Sequence, residues 1–98
     1  MRRMGTVTTT TSTALRTVTV RYFAAAKAAA GRDTETVEVA ADTTVASLGE
    51  TLAERYGPEF AQVLARCSYL VDEVAVRNPE RVLPEGAVVD VLPPFAGG

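Results

Sequence analysis

The 98-residue chain has no histidine, no tryptophan and a single cysteine, Cys67. The missing histidine removes Ser-His-Asp and Cys-His nucleophile pairs, and histidine-held metal sites with them. One cysteine excludes an internal disulfide, a cysteine-based zinc site and a four-cysteine iron–sulfur cluster, including that of a plant-type ferredoxin. No run of about 18 apolar residues occurs, so no membrane-spanning helix is expected. Arg2 and Arg3 are followed by threonines and not by an apolar signal core, which argues against secretion. A reducing cytoplasm is the expected compartment. Basic residues stand side by side only at Arg2-Arg3 and the net charge is -2, so nucleic acid is not an expected partner. Any chemistry is left to carboxylates, Lys27, tyrosines or the chain terminus.

What is present suits one small domain with one core. Residues 1–16 are threonine-rich and without helical period, and are expected to form a disordered arm. From Thr17 to Pro94 the pattern is that of a folded domain. Val18, Val20 and Tyr22 alternate with Thr19, Arg21 and Phe23, a period-2 strand. Ala24–Ala30 is an alanine run broken only by Lys27, predicting one or two helical turns that stop at Gly31. Val37 and Val39 mark a second strand within residues 34–40.

Asp42-Thr43-Thr44 offers helix N-caps. Val45, Leu48, Leu52 and Tyr56 then recur on one helical face, with Glu50, Glu54 and Arg55 opposite, up to Gly57-Pro58. Phe60, Val63, Leu64 and Cys67 continue in helical phase. Strands follow at 69–71 and 74–76 around an Asp72-Glu73 turn. After the turn clusters at 78–80 and 83–86, a last strand runs from Ala87 to Leu92. Pro93-Pro94 ends its pairing, since neither residue has an N–H.

The order β–β–α–β–β–β predicts an α+β layered fold. The β-grasp, or ubiquitin-like, arrangement has this order: a mixed sheet of four to five strands packed on one main helix. In it the last strand lies beside the first at the sheet centre, a buried place that Val88-Val89-Asp90-Val91-Leu92 suits.

Beyond Pro94 remain Phe95-Ala96-Gly97-Gly98, an arm of about 13 Å when fully extended. Residues without Cβ fit a narrow tunnel, and a Gly98 carboxylate is sterically open to activation at a nucleotide phosphate. The reading is Gly98 as the reacting terminus, Gly97 and Ala96 as slim threads into a partner, and Phe95 as an apolar anchor.

These residues resemble the MoaD/ThiS family of sulfur carriers, and within it the branch forming the small subunit of molybdopterin synthase. The resemblance rests on Val20-Arg21-Tyr22-Phe23-Ala24, the alanine-rich turn to Gly31, Thr44-Val45, and the whole of Leu83 to Gly98. Phe95 departs from the small or β-branched residue usual in that branch. The resemblance implies adenylation of Gly98 by a ubiquitin-activating-type adenylyltransferase using ATP and magnesium, which the carrier itself does not bind. Sulfur from a sulfurtransferase would then give a terminal thiocarboxylate. The tail would insert into a larger catalytic subunit that holds the catalytic residues, in a heterotetramer, and deliver sulfur for molybdopterin. The same chemistry would serve a carrier for thiamine, cysteine or another sulfur-containing metabolite. A ubiquitin-like modifier and a plain interaction module with an inert tail are the readings from other classes.

The remaining candidates have plainer roles. Tyr22, Phe23, Tyr56, Phe60 and Tyr69 fall mostly at core spacings. If Phe23 instead faces outward, it would form with Arg21 an apolar docking patch for the larger subunit. Cys67, in phase with Leu64, reads as a buried small hydrophobe. Lys27 reads as part of a solvated helix face, and Asp72-Glu73 as exposed turn punctuation.

Overall fold

A computed structural model of the chain describes residues 14–94. The expectations for residues 1–13 and for Phe95, Ala96, Gly97 and Gly98 lie outside the described residues. The elements follow in the order β1 (Leu15–Tyr22), α1 (Ala24–Ala30), β2 (Thr34–Ala40), α2 (Val45–Tyr56), α3 (Pro58–Leu64), β3 (Ser68–Val71), β4 (Val74–Ala75) and β5 (Val88–Leu92). The five strands form one mixed sheet in the order β2-β1-β5-β3-β4. β1 and β5 run parallel at its centre, and the other pairings are antiparallel. This is the expected β-grasp, with two short helices beside the main one.

β1 begins at Leu15, two residues before the expected start at Thr17. Leu15 pairs with Ala40 and Arg16 with Val39, and Arg16 Nη1 donates to the Leu83 carbonyl at 2.8 Å. The ladder to β2 therefore claims two residues that composition alone assigns to the arm.

The alternation read from the sequence sets the core. Val18, Val20 and Tyr22 of β1, Val37 and Val39 of β2, Val71 of β3, and Val89 and Val91 of β5 are all buried. Onto them pack Val45, Leu48 and Leu52 of α2, Phe60 and Leu64 of α3, and Ala26 of α1. Thr44 starts α2 through a reciprocal cap. Its Oγ1 accepts from the Ser47 N–H at 3.0 Å, and Ser47 Oγ accepts from the Thr44 N–H at 2.8 Å. This satisfies two donors that the helix itself leaves open.

Gly57 separates α2 from α3 at φ 97, ψ -177, a conformation that a Cβ resists, so the two helices can join without a longer loop. Pro58 takes the first position of α3, where its missing N–H costs nothing. The α1 stop is also as expected, with Gly31 left-handed at φ 78 and its N–H donating to Lys27 O at 2.9 Å.

Three expectations need adjustment. Phe23 is 39% exposed and so is not core. Asp72 and Glu73, at φ 50 and 70, form a tight turn of the kind that hairpins favour. Asp72 does more than punctuate: its Oδ1 accepts the Val88 N–H at 2.9 Å, tying the hairpin to the start of β5. Lys27 is exposed as expected and meets Asp33 at 2.8 Å. Cys67 is half-buried, its Sγ 3.3 Å from Val63 O, and burial pushes its thiol pKa up. It is not a poised nucleophile.

Candidate tail exit and outer sheet face

The register at the sheet centre decides what surrounds the chain as it leaves β5. β1 and β5 are parallel, with Arg21 opposite Asp90 and Tyr22 opposite Val91. One further step places Phe23 level with Leu92, the last ladder residue before Pro93-Pro94. The two residues singled out as a docking patch thus flank the exit of the tail.

Tyr22 and Val91 point to the helices, so the alternation turns Arg21 and Asp90 to the other face of the sheet. On β3, Leu70 lies opposite Asp90 and Ser68 opposite Leu92. This outer face therefore carries Val88, Leu92 and Leu70, all half-buried, around the Arg21–Asp90 pair. Among the described residues no helix covers it.

The pair itself is bidentate. Arg21 Nε and Nη2 donate to the two Asp90 carboxylate oxygens at 2.6 and 2.9 Å. The Asp90 side chain is 5% exposed and that of Arg21 42%. The hydrogen bond and charge of Asp90 raise the Arg21 pKa. The guanidinium carbon also lies 5.9 Å from the centre of the Phe23 ring, within range of a cation–π contact. Asp90 so orients Arg21, and Arg21 lies over Phe23. Immediately after Phe23 the backbone takes φ 50 at Ala24, turning the chain into α1. The result is an apolar-rimmed surface around a charge-paired Arg21 at the foot of the tail.

Sequence reasoning found Arg21 and Phe23 but missed Asp90, Leu70 and Leu92 as their neighbours. An aspartate inside a valine strand was the available signal, although its partner depends on a register between residues far apart in sequence.

A second polar cluster was also missed. Glu35 shares the inward phase of Val37 and Val39 and is buried beneath α2. Tyr22 and Tyr56 hydroxyls donate to its Oε2 at 2.5 and 2.6 Å. Arg55 Nη1 donates to Oε1 at 2.9 Å, with Arg32 Nη1 at 3.4 Å. Arg55, expected on a free helix face, is therefore part of this cluster. The signal lay in the two tyrosines, since a buried hydroxyl needs a partner.

Burial alone would raise the Glu35 pKa. The two tyrosine hydroxyls, then Arg55 and Arg32, outweigh it and hold the carboxyl below its ordinary 4.5. The cluster thus stabilises the fold above the ordinary carboxylate range. That contribution is lost as pH falls from about 4.5 through the lowered folded value. We expect Glu35→Gln to cost about 1–3 kcal/mol at neutral pH, and to flatten the acid limb of a urea-stability profile. An unchanged acid limb would show that Glu35 is not the group responsible.

No helix among the described residues is long and apolar enough to cross a membrane. The sequence pattern of the ThiS family matches residues 20–98. The chain is 34% identical over 86 residues to the molybdopterin synthase sulfur carrier subunit of Phaeosphaeria nodorum, covering 81% of this chain and 88% of that one. Its fold matches molybdopterin converting factor subunit 1 of Pyrococcus furiosus with TM-score 0.73 and 28% identity, covering 82% of this chain and 99% of that one. It also matches a chain in the complex of subunits 1 and 2 of the molybdopterin-converting factor of Helicobacter pylori. There the TM-score is 0.63 and the identity 23%, over 84% and 99% of the two chains; at that identity the likeness speaks for the fold. With a family pattern running from β1 through residue 98 and a relative alike over most of its length, the chain belongs to the ThiS family of β-grasp proteins.

Proposed function

We propose that this protein is the sulfur carrier subunit of a molybdopterin synthase, with Gly98 as the group that carries sulfur. The observation that supports this most is the central register, which brings Arg21 and Phe23 level with the end of β5. A partner that grips the outer face would receive the tail beside its own contact surface. The likeness to a protein named as such a carrier, and to a chain solved with its second subunit, fits the same reading.

In this reading the Gly98 carboxylate attacks the α-phosphate of ATP on a magnesium-dependent adenylyltransferase, and pyrophosphate leaves. Sulfide-level sulfur delivered through a sulfurtransferase displaces AMP and leaves a thiocarboxylate. Phe95, Ala96, Gly97 and Gly98 then enter a larger catalytic subunit, whose residues carry out sulfur transfer to the pterin. The carrier contributes reach, a slim end and a docking face, and binds neither ATP nor magnesium. A cytoplasmic setting suits these steps.

The test is intact-protein mass spectrometry before and after incubation with ATP, magnesium, the adenylyltransferase and a sulfur donor. One oxygen replaced by sulfur is expected, confined to the Gly98 fragment and alkylated by a thiol reagent. Alkylation separates this species from methionine oxidation at Met1 or Met4, which changes the mass almost equally. An unmodified carboxylate in the presence of active enzyme would sink the proposal, and conjugates to lysines of other proteins would favour a modifier.

A further inference from the structure

Away from the outer sheet face, a surface groove of about 800 Å³ runs between α1 and the α3 side. It is lined by Ala25, Ala28 and Ala29 of α1, by Val63 and Arg66, and by Pro93 and Pro94. The three alanines share one helical face and all are exposed. Longer side chains there would fill the space. Ala26, about 100° around α1 from that face, is fully buried, so the helix is anchored independently of the groove.

What would occupy it follows from where the described chain stops. Pro94 is itself part of the lining, and four residues follow it in the sequence, with a reach of about 13 Å. The first of these, Phe95, has a large apolar side chain and directly follows Pro94, which shares the groove lining with the three alanines. The last, Gly98, carries the terminal carboxylate. Ser68 lies opposite Leu92 in an antiparallel ladder, so Arg66, in the turn just before β3, lies at the same end of that ladder as Pro94. Among the described residues Arg66 has no ion-pair partner. Glu59, the groove's carboxylate, is seven residues away, on the order of 10 Å along the helix direction. The cation is therefore at the exit and the anion is remote from it.

We propose that this groove seats the protein's own last four residues, with Phe95 against the alanine face of α1 and the Gly98 carboxylate against Arg66. The tail then has two places: this groove at rest and a partner's tunnel in use. Docking covers the terminus between encounters, and each partner must draw it out. That consequence rests on Gly98 being the reacting end; the docking itself does not.

Isotope-edited NMR on the full chain tests the docking without ATP, sulfur or any partner. Expected are cross-relaxation peaks between the Phe95 ring and the methyls of Ala28 or Ala29, with those methyls shifted upfield by the ring. Compared with a chain ending at Pro94, amide shifts should differ at 25–29 and 63–66 and be unchanged at 34–40. Arg66→Glu, at an exposed position, should abolish these differences while the core signals stay in place. The proposal is overturned if the Phe95 ring resonates as a free side chain and the two chains have superimposable α1 and α3 signals. It is equally overturned if the groove signals move only when the adenylyltransferase is added, which would make the groove a partner's site. A chain that passes this test but never gains sulfur would refute the carrier function alone.

Discussion

Deleting Gly98 is expected to reduce thiocarboxylate formation more than a hundredfold and to leave the unfolding curve where it was. The argument is one of length. Removing one residue withdraws the terminal carboxylate by about 3.3–3.6 Å. Reacting atoms must be held about 3–3.5 Å apart, and a misplacement near 1 Å can cost about a hundredfold in rate. The new terminus is another glycine, so its chemistry is unchanged and only its position differs. Stability has no reason to change, since the buried core spans Val18 to Val91 and the last ladder pair is Ser68 with Leu92. Mass spectrometry of the shortened chain under the activation conditions, with a urea titration alongside, reads both quantities. Efficient sulfur loading at Gly97 would show that the activating site does not measure reach.

Phe60→Ala should be the most damaging single change in the core, at about 3–5 kcal/mol. Phe60 is 1% exposed. Its ring lies 5.8 Å from that of Tyr22, edge to face, and 5.1 Å from that of Tyr56. Tyr22 and Tyr56 are themselves 6.2 Å apart. Truncation leaves a cavity walled by two rigid rings whose hydroxyls are already committed to Glu35, so the site collapses poorly. Domains of this size have about 5–15 kcal/mol in total; the loss would consume much of it. In urea, the midpoint should fall sharply with the slope conserved. Phe60→Leu should recover most of the loss by refilling the volume. A cost under about 1 kcal/mol for alanine would mean that the three-ring cluster is not packed as described.

Much of this architecture could be read from local pattern. Val18, Val20 and Tyr22, then Val37 and Val39, obey a period of two because one face of each strand is dry. Thr44 and the four apolar positions after it announce α2, and Gly31 and Gly57 mark helix ends because few other residues accept those backbone angles. The illegible parts are long-range. Nothing near Asp90 in the sequence says that Arg21 will be its partner, and nothing near Glu35 names Tyr22, Tyr56 and Arg55. The β1 start was hidden for the same reason, since Leu15 and Arg16 are ordered by pairing with Ala40 and Val39 and by the Leu83 carbonyl. Arg21 and Phe23 were identified as a patch, but their position at the exit of the tail emerged only with the parallel register. Phe23 shows the limit of reading burial from residue type: a large aromatic suggests core, yet it sits one residue past β1, in the outward phase of Thr19 and Arg21, and is 39% exposed.

The placement of β5 also bears on how the chain is born. Without β5 the order β2-β1-β5-β3-β4 falls into two separate hairpins, so this strand is the keystone of the sheet. It joins Val20 to Val89, across most of the polypeptide, which makes the closing contact entropically late. During synthesis the core cannot lock until the residues just ahead of the tail have cleared the ribosome. A prematurely terminated product is therefore left unlocked and open to proteases. The sheet thus closes only once β5 has been made, so a product that ends before Val88 cannot reach the native state.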